Sequence, residues 1–357
     1  MKALTFHGPR DIRYEDFPDP AITRPHHLII EVSHCSICGS DLHLYHGDKI
    51  GPFDYSRPQP RFCVGHETIG RVVEIGSDVT HAKVGDRLLV AGGAGCGLCQ
   101  HCEAGDVRRC TGDVPKLAYG ISPLMNGGQA QYLEVFAANT SSVPIPDGVS
   151  DEQAVLMTDA MATGHYGLMS SGFEPGDTVC VIGQGPVGLM AAEVALAKGA
   201  ERVFTIDPVE TRRELSRGFG AEPLAPDEAR PAILAATDGA GVDRVVEAVG
   251  HVETITEAVR LARPGGGVGI VGLVQDGDWG AVPILRRAQG KSVRVHAGIA
   301  NVVDSWPDLL PLVQSGKVKG EGVFTHRFDL KDGADAYALF DARTDGVMKI
   351  MIEPRKL

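Results

Sequence analysis

TVCVIGQGPVGLMAAEVALAKGAERVFTID, residues 178–207, decides how the rest of the chain is read. A β-type run from Thr178 turns on glycines, continues as an apolar stretch of helical character through Ala197, and is followed by a second β-type run, RVFTID (202–207). Strand, glycine-rich turn, helix and strand in that order make a dinucleotide-binding βαβ unit. Gly183, Gly185 and Gly188 supply G-x-G-x-x-G at the turn, with Pro186 and Val187 opening the helix. Glycines there allow the tight turn and a close backbone approach, so that free N–H groups at the helix start face a pyrophosphate. Asp207 ends the second run, 24 residues past Gly183. A carboxylate at that place accepts from ribose hydroxyls and repels a 2′-phosphate, which predicts NAD as the cofactor. The hexapeptide alone is a weak signal. What weighs against a chance turn is the strand before it and the helix after it.

Outward from this unit the alternation continues through VDRVVEAVG (242–250), GGVGIVGLV (266–274) and SVRVHAGI (292–299), with helical stretches between. The fold class is therefore α/β, a doubly wound parallel sheet over 151–298. Residues 1–150 read differently: HLIIEV (27–32), TIGRVVEIG (68–76) and DRLLVA (86–91) are short β-type runs broken by turn residues, a barrel-like β-rich domain. The tail, 299–357, holds a helical stretch from Trp306 to Gln314, a strand at THRF, a helix from Gly333 to Arg343 and a last strand in VMKIMIEP. It is too short to stand alone and is expected to pack on the first domain.

Composition narrows the partners. The 357 residues are 43% hydrophobic and 22% charged, an ordinary globular balance, and 34 basic against 46 acidic residues leave a net charge of −12. Nothing basic remains to neutralise a phosphate backbone, which excludes nucleic acid as a partner. Lys2, Arg10, Asp11, Arg13 and Glu15 interrupt the first residues, and no run approaches the length of a membrane span, so no membrane association and a cytoplasmic location are expected.

Eight cysteines in a chain of this length need a reason other than disulfide stapling. Cys96, Cys99, Cys102 and Cys110 follow C-x2-C-x2-C-x7-C, a spacing that differs from the bacterial ferredoxin run and predicts a closed tetrahedral zinc site in a lobe over about 92–113. Closed sites of this type are structural. A catalytic metal needs a second set with an open position, and Cys38 in C-G-S-D-L-H, His66 and Glu67 in G-H-E, and Asp159 in M-T-D-A-M-A-T-G are the candidates. Singly each has a plain alternative: a buried thiol, a hydrogen-bonded histidine, a helix cap. Cys35 makes a C-x-x-C with Cys38, but the C-G-S-D-L-H context assigns Cys38 to zinc rather than to a thioredoxin-like redox pair, while Cys180 reads as a core residue and His26, His27, His46, His81 and His101 as solvated loop groups.

Taken in order, C-G-S-D-x-H at Cys38 to His43, Gly65-His66-Glu67, the four-cysteine lobe, the GG-x-A-x-Y segment at Gly127 to Tyr132 and the glycine turn resemble the zinc-dependent alcohol dehydrogenases of the medium-chain dehydrogenase/reductase family, over essentially the whole chain. The resemblance implies a GroES-like catalytic domain from 1–150 and 299–357, a Rossmann domain from 151–298, an active site in the cleft between them, and a homodimer or homotetramer. It implies a catalytic zinc on Cys38, His66 and Asp159, with Glu67 as an occasional fourth ligand. Ser40 and His43 match its proton-relay pair, Thr163 and Val187 its nicotinamide neighbours, and Arg212 and Arg343 basic groups near the adenosine ribose and pyrophosphate.

Two departures stand out. Gly39 replaces a basic residue that several animal relatives place on the pyrophosphate, and the loop from His46 to Glu67 is long. The expected activity is reversible hydride transfer between a small-molecule alcohol and NAD, giving an aldehyde or ketone. Aldehyde dismutation or thiol-adduct oxidation with tightly held NAD, and a non-catalytic member of the fold, stay open as alternatives.

Overall fold

The strand Leu28–Ile37 is the spine of the first half of the molecule, buried on both faces toward its ends. Strands Glu67–Ile75 and Lys349–Glu353 flank it, both antiparallel to it, so the end of the spine lies beside the beginnings of its neighbours. Ser36 pairs with Glu67 on one side and Met351 on the other. Residues from three distant parts of the sequence thus meet at one end of the sheet. Arg87–Val90, Ser142–Pro144 and Phe324–Asp329 extend this seven-stranded sheet, and Tyr132–Val135 pairs with the spine off the main path. A three-stranded antiparallel sheet of Asp11–Asp16, Lys2–Gly8 and Phe62–Cys63 packs with it around a core that includes Leu4, Phe6, Leu28, Ile30, Tyr55, Leu88, Tyr337 and Ile350. This is the β-rich arrangement expected of the first domain.

The second half is a six-stranded parallel sheet in the order Glu222–Leu224, Arg202–Ile206, Thr178–Ile182, Val242–Glu247, Ala262–Ile270, Arg294–Ala297. Numbered along the chain this is 3-2-1-4-5-6, the doubly wound order in which the connections reverse direction between the first and fourth strands. Helices such as Pro186–Ala197 and Val252–Leu261 bury their apolar residues on it.

The computed structural model describes residues 1–50, 53–112, 118–274 and 281–354; position 113, at the edge of the expected lobe, lies outside them. Two units emerge, Met1–Asp159 with Asn301–Trp306 and Val323–Leu357, and Ala160–Ala300 with Pro307–Gly322. Both sequence boundaries need correcting. Helix Asp151–Thr158 packs on Leu28–Ile37, Glu67–Ile75 and Arg87–Val90, so the first unit runs on to Asp159 and takes that residue with it. The tail is divided. Its Pro307–Gly322 segment joins the nucleotide-type unit, where the Glu193 carboxylate accepts from Lys319 N at 2.8 Å and Gly320 N at 3.0 Å. No described helix is long and apolar enough to cross a membrane.

Candidate active site

Cys96, Cys99, Cys102 and Cys110 present their sulfurs within 4.8 Å of one another. Helix Gln100–Glu103 starts immediately after Cys99, which turns Cys102 back toward it, with the two sulfurs 3.6 Å apart. Backbone N–H groups point at the sulfurs, from Cys96 and Gly112 to Cys110 Sγ at 3.2 and 3.3 Å and from Leu98 to Cys96 Sγ at 3.4 Å. Backbone donors push the Cys99 thiol down to about 5, whereas burial pushes Cys102 up to about 12. A Cβ at Gly95 would stand 2.5 Å from Cys102 Sγ, and one at Gly112 would stand 2.5 Å from Cys96 Cβ. The loop is built around a small central space ringed by four thiols, which fits a tetrahedral zinc.

A second cluster gathers Cys38, His66, Glu67 and Asp159, again within 4.8 Å. Cys38 follows the end of the spine strand, and His66 and Glu67 stand where its neighbour begins. Asp159 caps helix Asp151–Thr158 with φ −155° and ψ −75°, a break before helix Ala160–Ser170. Cys38 Sγ and His66 Nε2 lie 3.1 and 3.4 Å from Asp159 Oδ2.

Asp41, quoted in the motif but given no role there, ties two of these segments. It accepts from Cys38 N at 2.9 Å, and its other oxygen faces His66 Nδ1 at 3.1 Å. Nε2 is thereby left to the cluster, the arrangement by which a carboxylate orients a metal-binding imidazole.

Glu67 differs from the other donors in having a cation of its own. Lys349, 2% exposed and reaching across from its strand, holds both Glu67 oxygens, at 2.8 and 2.6 Å. Burial pushes the Glu67 carboxyl up to about 7 in spite of that cation.

The electrostatics favour a cation in the cluster. Burial and the Asp159 carboxylate push the Cys38 thiol up to about 11, while burial opposes charge on His66 but Asp41 and Asp159 hold it well above its ordinary range. Four groups that can carry negative charge converge on His66 and Lys349. A divalent ion restores the balance, and a thiolate, an imidazole and a carboxylate form a three-ligand set with a corner open.

Ser40 and His43 lie at the rim of this cluster. Ser40 precedes helix Asp41–His46, with its Oγ 3.4 Å from His66 Nε2. His43 donates its backbone N–H to Ser40 O at 3.2 Å, and its ring Nδ1 meets Asp48 Oδ2 at 2.9 Å.

In the nucleotide-type unit the glycines of the turn have distinct reasons. Gly183 has φ +89°, and a Cβ at Gly188 would lie 1.7 Å from Gly183 O, so helix and strand can approach only without one. Gly185 has open space where its side chain would be and is the N-cap of helix Pro186–Ala197, with Pro186 in the first turn and Val187 half-buried beside it. That free cradle of N–H groups fits a pyrophosphate. Asp207, 3% exposed, accepts from Gln184 N at 2.7 Å and Val209 N at 2.8 Å, with Arg212 Nη1 3.8 Å from it. Thr163 is half-buried on helix Ala160–Ser170. Arg343 is exposed, in the left-handed region at φ 51°, capping helix Gly333–Ala342.

Lys349, Asp41 and Asp48 were missed as functional residues. Asp41 was readable in principle, because a zinc-bound histidine calls for a carboxylate behind it and the motif contains one. His26 and His27 correct the sequence reading: they are buried, not solvated. His27 Nδ1 meets Glu134 Oε1 at 2.8 Å and its ring stacks on Phe136, while the His26 ring abuts Gly97 in the lobe.

Residues 24–147 match the family described as alcohol dehydrogenase GroES-like domain, and residues 186–315 the family described as zinc-binding dehydrogenase. A protein named probable zinc-binding alcohol dehydrogenase from Mycobacterium tuberculosis is 37% identical over 354 residues, 99% of this chain and 89% of that one. Among solved structures, an alcohol dehydrogenase from Thermus sp. ATN1 superposes with a TM-score of 0.87 at 30% identity, covering 99% of this chain and 100% of its own. A zinc-binding dehydrogenase from Sinorhizobium meliloti bound to NADP gives 0.83 at 28% identity, covering 99% of each chain.

Proposed function

The chain belongs to the zinc-binding alcohol dehydrogenase family, and from that premise we propose that it catalyses the reversible oxidation of an alcohol to an aldehyde or ketone with NAD. The observation that carries this reading is the donor set: Cys38, His66 and Asp159 converge together with Glu67, whose carboxylate Lys349 also holds, which leaves three donors to an ion. Zinc held by these three residues would supply Lewis acidity, and a bound nicotinamide would supply the hydride acceptor.

The remaining steps belong to the protein's own side chains. Asp41 holds Cys38 N and faces His66 Nδ1, which keeps both donors in place before substrate arrives. Ser40 Oγ, beside the donor set, accepts the proton of the alcohol hydroxyl and passes its own hydrogen on. His43, whose Nδ1 meets Asp48, takes that proton, and at 17% side-chain exposure it delivers it to solvent. Gly183, Gly185 and Gly188 shape the pyrophosphate cradle, and Asp207 presents a carboxylate to the adenosine ribose.

The test is a cofactor-reduction screen over primary, secondary, aromatic and polyol alcohols, run with NAD and NADP on protein shown to contain two zinc ions. We expect turnover with at least one class, higher kcat/KM with NAD, and loss of turnover with one zinc in Asp159→Ala. Absence of turnover with every class and both cofactors would overturn the reading. A higher kcat/KM with NADP would overturn the role given to Asp207.

A further inference from the structure

The ligand position of Asp159 depends on a break in a helix. Helix Asp151–Thr158 stops there and helix Ala160–Ser170 starts one residue later, with Asp159 itself at φ −155° and ψ −75°. A continuous helix would carry this side chain at a helical angle. The break is what turns the carboxylate toward Cys38 and His66.

Breaking a helix disturbs the partners of the carbonyls in the turn before it. Here that turn is deeply buried, with Val155, Leu156, Met157 and Thr158 all at 0% exposure, so bulk water cannot take over. The replacements are visible. Thr158 Oγ1 donates to Val155 O at 2.7 Å, Asp159 N to Leu156 O at a long 3.4 Å, and Trp306 Nε1 to Met157 O at 2.9 Å.

Trp306 comes from 149 residues further along the chain and is itself 3% exposed. An indole N–H can only donate, so a lone carbonyl is the partner it suits. At the other end of its segment, Asn301, 2% exposed, donates through Nδ2 to Gly105 O at 2.5 Å, between Cys102 and Cys110 of the lobe. The segment 301–306 is therefore pinned at both ends within the first unit.

We propose that Trp306 is a positioning residue for Asp159, stabilising through the Met157 carbonyl the helix interruption that aims this ligand at the metal site. The proposal rests on Asp159 being a ligand of the catalytic zinc, as argued above.

The experiment uses a hybrid protein with zinc in the four-cysteine lobe and cobalt(II) in place of the catalytic zinc, so that visible absorption reports that site alone. The spectrum and the rate of cobalt loss to a chelator are compared for the unmodified protein, Trp306→Phe and Asp159→Ala. Trp306→Phe keeps the ring's bulk and removes the N–H. It should shift the cobalt bands and speed cobalt loss by about 10-fold or more, the range seen when a supporting partner of a metal ligand is removed. A native spectrum and native loss rate in Trp306→Phe, beside a disturbed Asp159→Ala, overturn the proposal alone. A native spectrum in Asp159→Ala overturns the ligand assignment and the proposal with it. If Trp306→Phe does not fold, Asn301→Ala loosens the same segment and should also speed cobalt loss; a native rate there overturns the proposal.

Discussion

The four-cysteine lobe and the Cys38, His66, Asp159 centre are assembled in opposite ways. Every lobe ligand lies between residues 96 and 110, and backbone N–H groups of the same loop point at the sulfurs. The centre draws its donors from three segments up to 121 residues apart and restrains Glu67 with a cation more distant still. A local site can close around its ion and needs little from the rest of the fold. A long-range site is only as well formed as the sheet that assembles it, and in return it can be left open on one side. That openness is what chemistry requires, and it depends on restraining a fourth donor already within reach.

The comparison can be broken at three points. The largest effect is expected in the lobe, where Cys96→Ser should release one of two zinc ions. Metal-binding free energy on the order of 10 kcal/mol would then no longer hold the loop. Mass spectrometry under native conditions and limited proteolysis over residues 92–112 would show it, and two retained metals with an unchanged cleavage pattern would mean that the lobe is not a zinc site.

Next comes Lys349, the cation that restrains Glu67. Lys349→Met leaves a fully buried carboxylate without its partner and should cost about 3–5 kcal/mol of stability, with Lys349→Arg costing much less. Chemical denaturation of the zinc-loaded proteins measures both. Equal stability of the Met variant and the unmodified protein would refute the ion pair as the restraint.

The smallest effect is at the outlet for the proton, which the closed lobe lacks altogether. His43→Gln should slow alcohol oxidation about 10-fold, most at the acidic end of the range where solvent base is scarce, with partial rescue by added imidazole. A native pH–rate profile would route the proton elsewhere.

The same contrast explains what the sequence disclosed. The lobe was legible because its spacing is the site. The parallel sheet was legible because Gly183, Gly185, Gly188 and Asp207 sit in one strand-turn-helix-strand stretch. Asp159 could be picked out as a candidate ligand only by resemblance to a family, since nothing near it marks an acid at a helix break as different from an acid at a helix cap. Lys349 was hidden for a similar reason: it stands 282 residues from Glu67, and in sequence it is one lysine in an apolar strand. Trp306 was read as the start of a helix, whereas the helix runs Val302–Gln314 and the indole serves another element. The division of the tail escaped because composition does not record which core a short helix joins. His26 and His27 looked polar and exposed, yet an aromatic ring and a carboxylate bury them.

Gly185 and Gly188 differ by three positions and by what each protects. Gly188 answers to the architecture, because any side chain there would collide with the Gly183 carbonyl at the end of the strand before it. On the function proposed above, Gly185 answers only to a bound coenzyme, since its surroundings leave a side chain room. Natural selection can therefore police the two residues separately: a lineage no longer in need of a coenzyme is free to drift at one while the other stays frozen. The history of such a loop would record the loss of a reaction long before any loss of shape.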